Sequence, residues 1–297
     1  MPENLAALPS AACDCHVHVI GPAHDYPMHD ARAYTPAEAS LNDLRAHKAR
    51  LGLGRAVLVQ PSVYGIDNRY MLACLQHMGG TGRGIAVIDA AHRRELLEQW
   101  HALGVRGVRV NLESAGARDL EAAWAMLEHT AQQIAPLKWH LQVYAAYSVL
   151  RALSPRLLQL PVPLVLDHFA MVPAEWACDA VALEPLEELL SSGRVYIKLS
   201  GSYRLSDVLL DSLHAADILA ARWLALRPDR LLWGSDWPHT ARDPGKHRLE
   251  VSAYRNIASD GLHVQALTWF PTPEIRQQVM VINPQQLYGF EGAVPNQ

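Results

Sequence analysis

The sequence predicts an α/β protein, a parallel (β/α)8 TIM barrel formed as one domain over residues 1–297. Three observations carry that expectation. Eight short apolar runs alternate with amphipathic stretches of helical period. Several runs are apolar at consecutive positions, as in Ala56-Val57-Leu58-Val59 and Leu164-Val165-Leu166, which is how strands covered on both faces read. No Ser/Gly linker or low-complexity stretch interrupts the alternation. A doubly wound open sheet would alternate in the same way. The chain has neither a G-x-G-x-x-G after its first strand nor a P-loop, which removes two common uses of that rival.

Taken in order, the expected strands are 12–20, 55–60, 83–88, 105–112, 139–144, 163–168, 195–200 and 230–236. The helices between them are expected at 41–51, 68–78, 92–103, 120–134, 148–158, 183–191 and 208–226. Asp67 and Asp119 stand where N-caps belong, and Gly79 and Gly104 stand where helices stop. Residues 21–40, rich in His, Pro and Asp, read as a long first βα loop, and residues 241–249 as a second. In a barrel such loops build the active site.

Hydrophobic residues make up 50% and charged residues 19% of the 297, enough for a large core. A net charge of −4 with no dense basic run argues against nucleic-acid or anionic-membrane partners. No run of 18 apolar residues predicts a membrane span. Met1-Pro2-Glu3-Asn4 lacks the basic start and apolar run of a signal peptide. Cys13, Cys15, Cys74 and Cys178 are scattered without a C-x-x-C, so a reduced, cytoplasmic enzyme is expected. The sequence leaves the oligomeric state unknown.

The chemistry is expected where the strands end. His16 and His18 have the same parity in the first strand and aim two imidazoles at one point. Asp236, at the end of the last strand, is the natural partner, able to accept a proton or complete a metal site. Gln60, Asp89, Arg109, Asn111, Tyr144, His168 and Lys198 complete the polar set. A lone histidine at a strand end is as often a satisfied core residue; the combination is what points to function. Ser62 lacks a G-x-S-x-G context, so it is read as a substrate contact, not a nucleophile. His24, His29, His47, His77, His92 and His247 read as solvent-facing.

Five stretches in this order resemble the amidohydrolase superfamily, and within it the lactonases that can dispense with metal. They are Asp14-Cys15-His16-Val17-His18-Val19, Gly104-Val105-Arg106-Gly107-Val108-Arg109, Leu166-Asp167-His168-Phe169, Lys198-Leu199-Ser200 and Trp233-Gly234-Ser235-Asp236-Trp237-Pro238-His239. Asn283-Pro284 and Leu287-Tyr288-Gly289 look like the same family's end. The resemblance implies a distorted barrel and hydrolysis at a carbonyl carbon. It implies a small anionic lactone as substrate, with Asp236, His16, His18 and His168 as the catalytic set.

Arg109 falls at that family's anion-binding position. Arg204, His239, Tyr34 and Tyr144 would orient the acidic or hydroxyl groups of the substrate. A binuclear centre would need a bridging acid or carboxylated lysine on the fourth strand, where Arg109 and Asn111 stand instead. No metal is therefore expected to be required; at most one divalent ion, zinc or manganese, would sit on His16, His18, His168 and Asp236. Dicarboxylate-opening members carry a further basic residue close after the fourth strand. Here Asn111-Leu112-Glu113-Ser114-Ala115-Gly116-Ala117 intervenes before Arg118, so a monocarboxylate or sugar lactone is at least as well suited. A metal-dependent decarboxylase, a sugar-acid lactone isomerase and a non-catalytic acid binder are the alternatives.

Overall fold

A computed structural model describes residues 7–112 and 119–291. The sequence readings made on Met1 to Asn4 and on the segment 113–118 lie outside the described residues. Eight parallel strands form a nearly closed barrel with helices around it. The strands are Cys13–Val17 (β1), Arg55–Val59 (β2), Gly82–Ala86 (β3), Val105–Asn111 (β4), His140–Tyr144 (β5), Leu164–Leu166 (β6), Val195–Leu199 (β7) and Leu231–Trp233 (β8). They are hydrogen-bonded in chain order. The longer helices are Leu41–Leu51 (α1), Arg69–Met78 (α2), Arg94–Ala102 (α3), Leu120–Ile134 (α4), Tyr147–Leu157 (α5), Ala180–Ser191 (α6), Leu209–Leu226 (α7) and Ser259–Trp269 (α8). Among the described residues no helix is long and apolar enough to cross a membrane.

The helix ends show which local rules held. Ser40 and Asp43 form a reciprocal capping box on α1, and its hydrogen bonds hold the Asp43 carboxyl below the usual range. Asp119 accepts from the amides of Glu121 and Ala122, so α4 begins where expected. Asp67 is not the cap of α2. Asn68 takes that position, and the Asp67 carboxylate binds the Arg69 guanidinium at 2.7 Å. Helix α6 begins at Ala180, ahead of the expected 183, because Asp179 caps it through the amides of Val181 and Ala182.

The chain divides into two compact units, Met1–Gly84 with Trp233–Gln297, and Ile85–Leu232. In the first, β1 pairs with β2, and the register slips between Asp14 and Val17, so the H-x-H stretch carries a bulge. The chain beyond β8 returns to β1. The Asp236 amide donates to the His16 carbonyl at 3.0 Å, and the His18 amide donates to the Trp237 carbonyl at 2.8 Å. Gly234 permits this approach, since a Cβ there would lie 2.8 Å from the Cβ of His16. Two short strands in the loops after β1 and β8, Thr35–Pro36 and Val251–Ser252, pair with each other. At the far end Arg55 and Arg83 stack on Phe290 and donate to the carbonyls of Glu291, Tyr288 and Gly289, tying down the C-terminal segment.

In the second unit β4, β5, β6 and β7 run in unbroken parallel register. His140 opens β5 and is fully enclosed. Burial, reinforced by the charge of Lys198, pushes its pKa down to about 3. Gly107 makes room for it, because a Cβ there would lie 2.6 Å from the ring.

Candidate active site

Several strands stop short of their expected ends, and His18, His168, Asp236 and His239 lie in the turns beyond. Three of those residues hold left-handed backbone: Asp236 has φ 63, His239 has φ 67 and His168 has φ 49. Phe169, Ala170 and Met171 continue from His168 at φ 54, 52 and 52, a complete left-handed turn without a glycine. Each such residue costs about 1–2 kcal/mol. Non-glycine residues are held there only where surrounding structure imposes it, often at functional sites.

In the first unit His16 and His18 meet as the strand parity predicts, with their Nε2 atoms 3.3 Å apart. Asp236 is fully buried beside them, its Oδ1 lying 3.9 Å from His16 Nε2 and 3.8 Å from His18 Nε2. His18 Nδ1 lies 2.7 Å from the Val59 carbonyl. A carbonyl has no proton to give, so His18 Nδ1 carries one and donates to it. Ligand atoms of His16, His18 and Asp236 all lie within 4.8 Å of one another, and all three residues are buried. That donor set could hold one divalent ion.

His239 is buried, its amide donating to the Asp236 carbonyl at 2.8 Å. Tyr34 is half-buried and packs against Ile20, Ala39, Val63 and Tyr64. Ser62 is exposed at the start of a short 3-10 turn. Gln60 turns back to the Asp67 carbonyl at 2.7 Å and fixes the loop after β2.

In the second unit the centre is Asp167. Its Oδ2 accepts from Arg109 Nε at 2.9 Å and from Gln142 Nε2 at 3.1 Å, and its Oδ1 lies 3.6 Å from Lys198 Nζ. Lys198 donates to Gln142 Oε1 at 2.7 Å. The Arg109 guanidinium lies over the Tyr144 ring at 4.8 Å, and Tyr144 meets His168 edge-on at 5.2 Å. His168 Nδ1 is 3.0 Å from Ser200 Oγ. Gly201, at φ 59, leaves space that both His168 and the half-buried Arg204 approach; a Cβ there would be 3.0 Å from each. Asp89 is exposed and paired with His92, away from any such cluster.

Three residues escaped the sequence reading. Asp167 carried no assigned role, although an acid between two cation-bearing strands had reason to pair. Asp14 was only part of a motif, yet it is fully buried and its Oδ1 accepts from the amides of His16 and Ser235. His47 was read as solvent-facing, but it is only 5% exposed, with Nε2 3.6 Å from Asp14 Oδ2. The signal was its spacing, since His47 shares one face of α1 with the buried Leu44 and Leu51.

This barrel, with paired histidines at the end of a bulged first strand and an aspartate beyond the eighth, is of the amidohydrolase kind. Residues 13–290 match the amidohydrolase family model, and the chain belongs to that family. It is 33% identical over 290 residues to a 2-pyrone-4,6-dicarboxylate hydrolase of Comamonas testosteroni, covering 95% of this chain and 91% of that protein. It is 31% identical over 297 residues to a 4-sulfomuconolactone hydrolase of Rhizobium radiobacter, covering 95% and 91%. A Pseudomonas putida crystal structure described as a 2-pyrone-4,6-dicarboxylic acid hydrolase superposes with a TM-score of 0.79 at 29% identity, covering 96% of this chain and all of that one.

Proposed function

We propose that this protein is a lactone hydrolase acting on a lactone that bears an acidic group. The observation that carries the reading is the buried Asp236 carboxylate set 3.8–3.9 Å from two imidazole nitrogens. Asp236 takes a proton from water as the water oxygen bonds to the lactone carbonyl carbon. His16 and His18 face the carbonyl oxygen and stabilise the oxyanion that forms. The ring C–O bond then breaks, and Asp236 returns its proton to the leaving oxygen. His168 joins this set on the family motif and its position just after β6. One divalent ion held by His16, His18 and Asp236 would add Lewis acidity at the carbonyl oxygen. The strain and leaving-group quality of a lactone make that addition dispensable.

Charge supports an acidic substrate. Among the described residues of the second unit, Arg109 and Lys198 are buried cations and Asp167 is the one buried carboxylate. A substrate carboxylate would balance the remaining positive charge, with Arg109 as a planar donor. Arg204, Tyr144, Tyr34, His239 and Ser62 are assigned to the substrate's other polar groups. The cysteines are free thiols, which suits a reducing, cytoplasmic setting.

The test is a panel of aromatic-pathway and sugar-acid lactones in weak buffer with a pH indicator, with and without chelator, with products read by NMR. Ring-opened acid with one proton released per ester is expected. A migrated lactone with no net acid release would make the protein an isomerase. Loss of carbon dioxide would make it a decarboxylase, and tight binding without turnover would make it an acid-binding barrel.

A further inference from the structure

We infer that Asp14 and His47 are a buried positioning pair that sets Asp236 in register with His16 and His18. This rests on the reading of Asp236 as the base. Asp236 itself holds left-handed backbone, a conformation that needs outside constraint. The constraint acts on both of its neighbours. On one side, Asp14 Oδ1 accepts from the Ser235 amide at 2.9 Å and from the His16 amide at 3.2 Å. One carboxylate oxygen thus staples the turn after β8 to the bulge in β1. On the other side, the His47 ring stacks on Trp237 with centroids 5.7 Å apart and planes 28° apart. The two side chains approach where His47 Nε2 lies 3.6 Å from Asp14 Oδ2, within ion-pair range but beyond hydrogen-bond length.

The two residues therefore reach Asp236 through Ser235 and Trp237. The same carboxylate holds the His16 amide, so the base and His16 share one anchor. A buried carboxylate is a costly way to fill space, and a core that needed only volume would use an apolar residue. The backbone bonds of Asp236 to His16 and of His18 to Trp237 are the joint that the pair keeps in register.

Asp14→Asn keeps an amide oxygen for both backbone donors, whereas Asp14→Ala removes it. The Ala variant is expected to lose kcat by about 10–100-fold with KM changed less than about threefold, and Asn to restore most of the rate. His47→Ala should lose kcat in the same sense. Imidazole proton–nitrogen spectra of histidine-labelled protein read the geometry without substrate. The ring signals of His16 and His18 should move or broaden in Asp14→Ala and His47→Ala and stay in place in Asp14→Asn.

The proposal is overturned if folded Asp14→Ala and His47→Ala leave those signals and kcat unchanged. It is also overturned if the loss falls on KM, or if Asn is as impaired as Ala. Should Asp14→Ala fail to fold, Asp14→Asn and His47→Ala decide by the same criteria. A wild-type protein that opens no lactone would refute the proposed function, while the spectra would still decide the positioning role.

Discussion

Replacing Asp236 by Asn tests the chemistry with the least collateral change. The carboxylate is fully buried, and its Oδ1 sits 3.8 Å and 3.9 Å from the two imidazole Nε2 atoms. Asn has almost the same shape but cannot take a proton from water. Loss of a general base is worth about 10²–10⁴ in rate, which is roughly 3–5 kcal/mol of barrier. The fold should survive because of the backbone at this position. Asp236 has φ 63, and Asn is among the non-glycine residues best suited to that region. Asp236→Ala lacks that tolerance and should unfold a few degrees lower, on the scale of about 2–4 °C per kcal/mol.

The assay is steady-state hydrolysis of the best lactone from the panel, run across pH beside thermal unfolding of both variants. The Asn variant should be slower by that factor at every pH where both proteins are folded. Retention of more than about a tenth of the wild-type kcat by a folded Asn variant would show that another group takes the proton.

Three further outcomes follow from the same geometry. Arg109→Met should raise KM for a carboxylated lactone more than for a neutral one, since a charged hydrogen bond contributes about 1.5–3 kcal/mol. It should also lower Tm because Asp167 loses its 2.9 Å partner; equal effects on both substrates would give Arg109 a purely structural role. Elemental analysis and assay of one chelated sample should find no more than one ion per chain and substantial remaining activity. Two ions, or inactivity rescued only by zinc, would overturn that. His140 is held neutral by burial, with its pKa near 3 against an ordinary 6.5. Between those values the unfolded chain binds the extra proton, so stability is lost as pH falls from about 6.5 towards 3. Tm against pH should flatten over that window in His140→Gln, and an unchanged slope would refute this account.

The fold was legible in the sequence because its elements obey local rules, and the site was harder to read because it breaks them. Helices α1 and α4 begin and end where their spacing and caps place them, at Leu41–Leu51 and Leu120–Ile134. Strand periodicity, by contrast, carried the sixth and eighth strands through His168 and Asp236, where the ladder has already stopped. An apolar run shows that a strand exists but not where its backbone turns left-handed. His47 was lost for a related reason. Residue type suggested solvent, while position on α1, in line with Leu44 and Leu51, placed it inside. Where type and position disagree, a polar side chain is buried at a cost that packing alone does not justify. Asp14, His47, Asp167 and Lys198 are all of that kind: Asp14 accepts from the His16 amide, His47 lies 3.6 Å from Asp14, and Arg109 and Lys198 meet at Asp167. Reading for polar residues in apolar registers therefore finds the supports of the candidate site that the motifs mark.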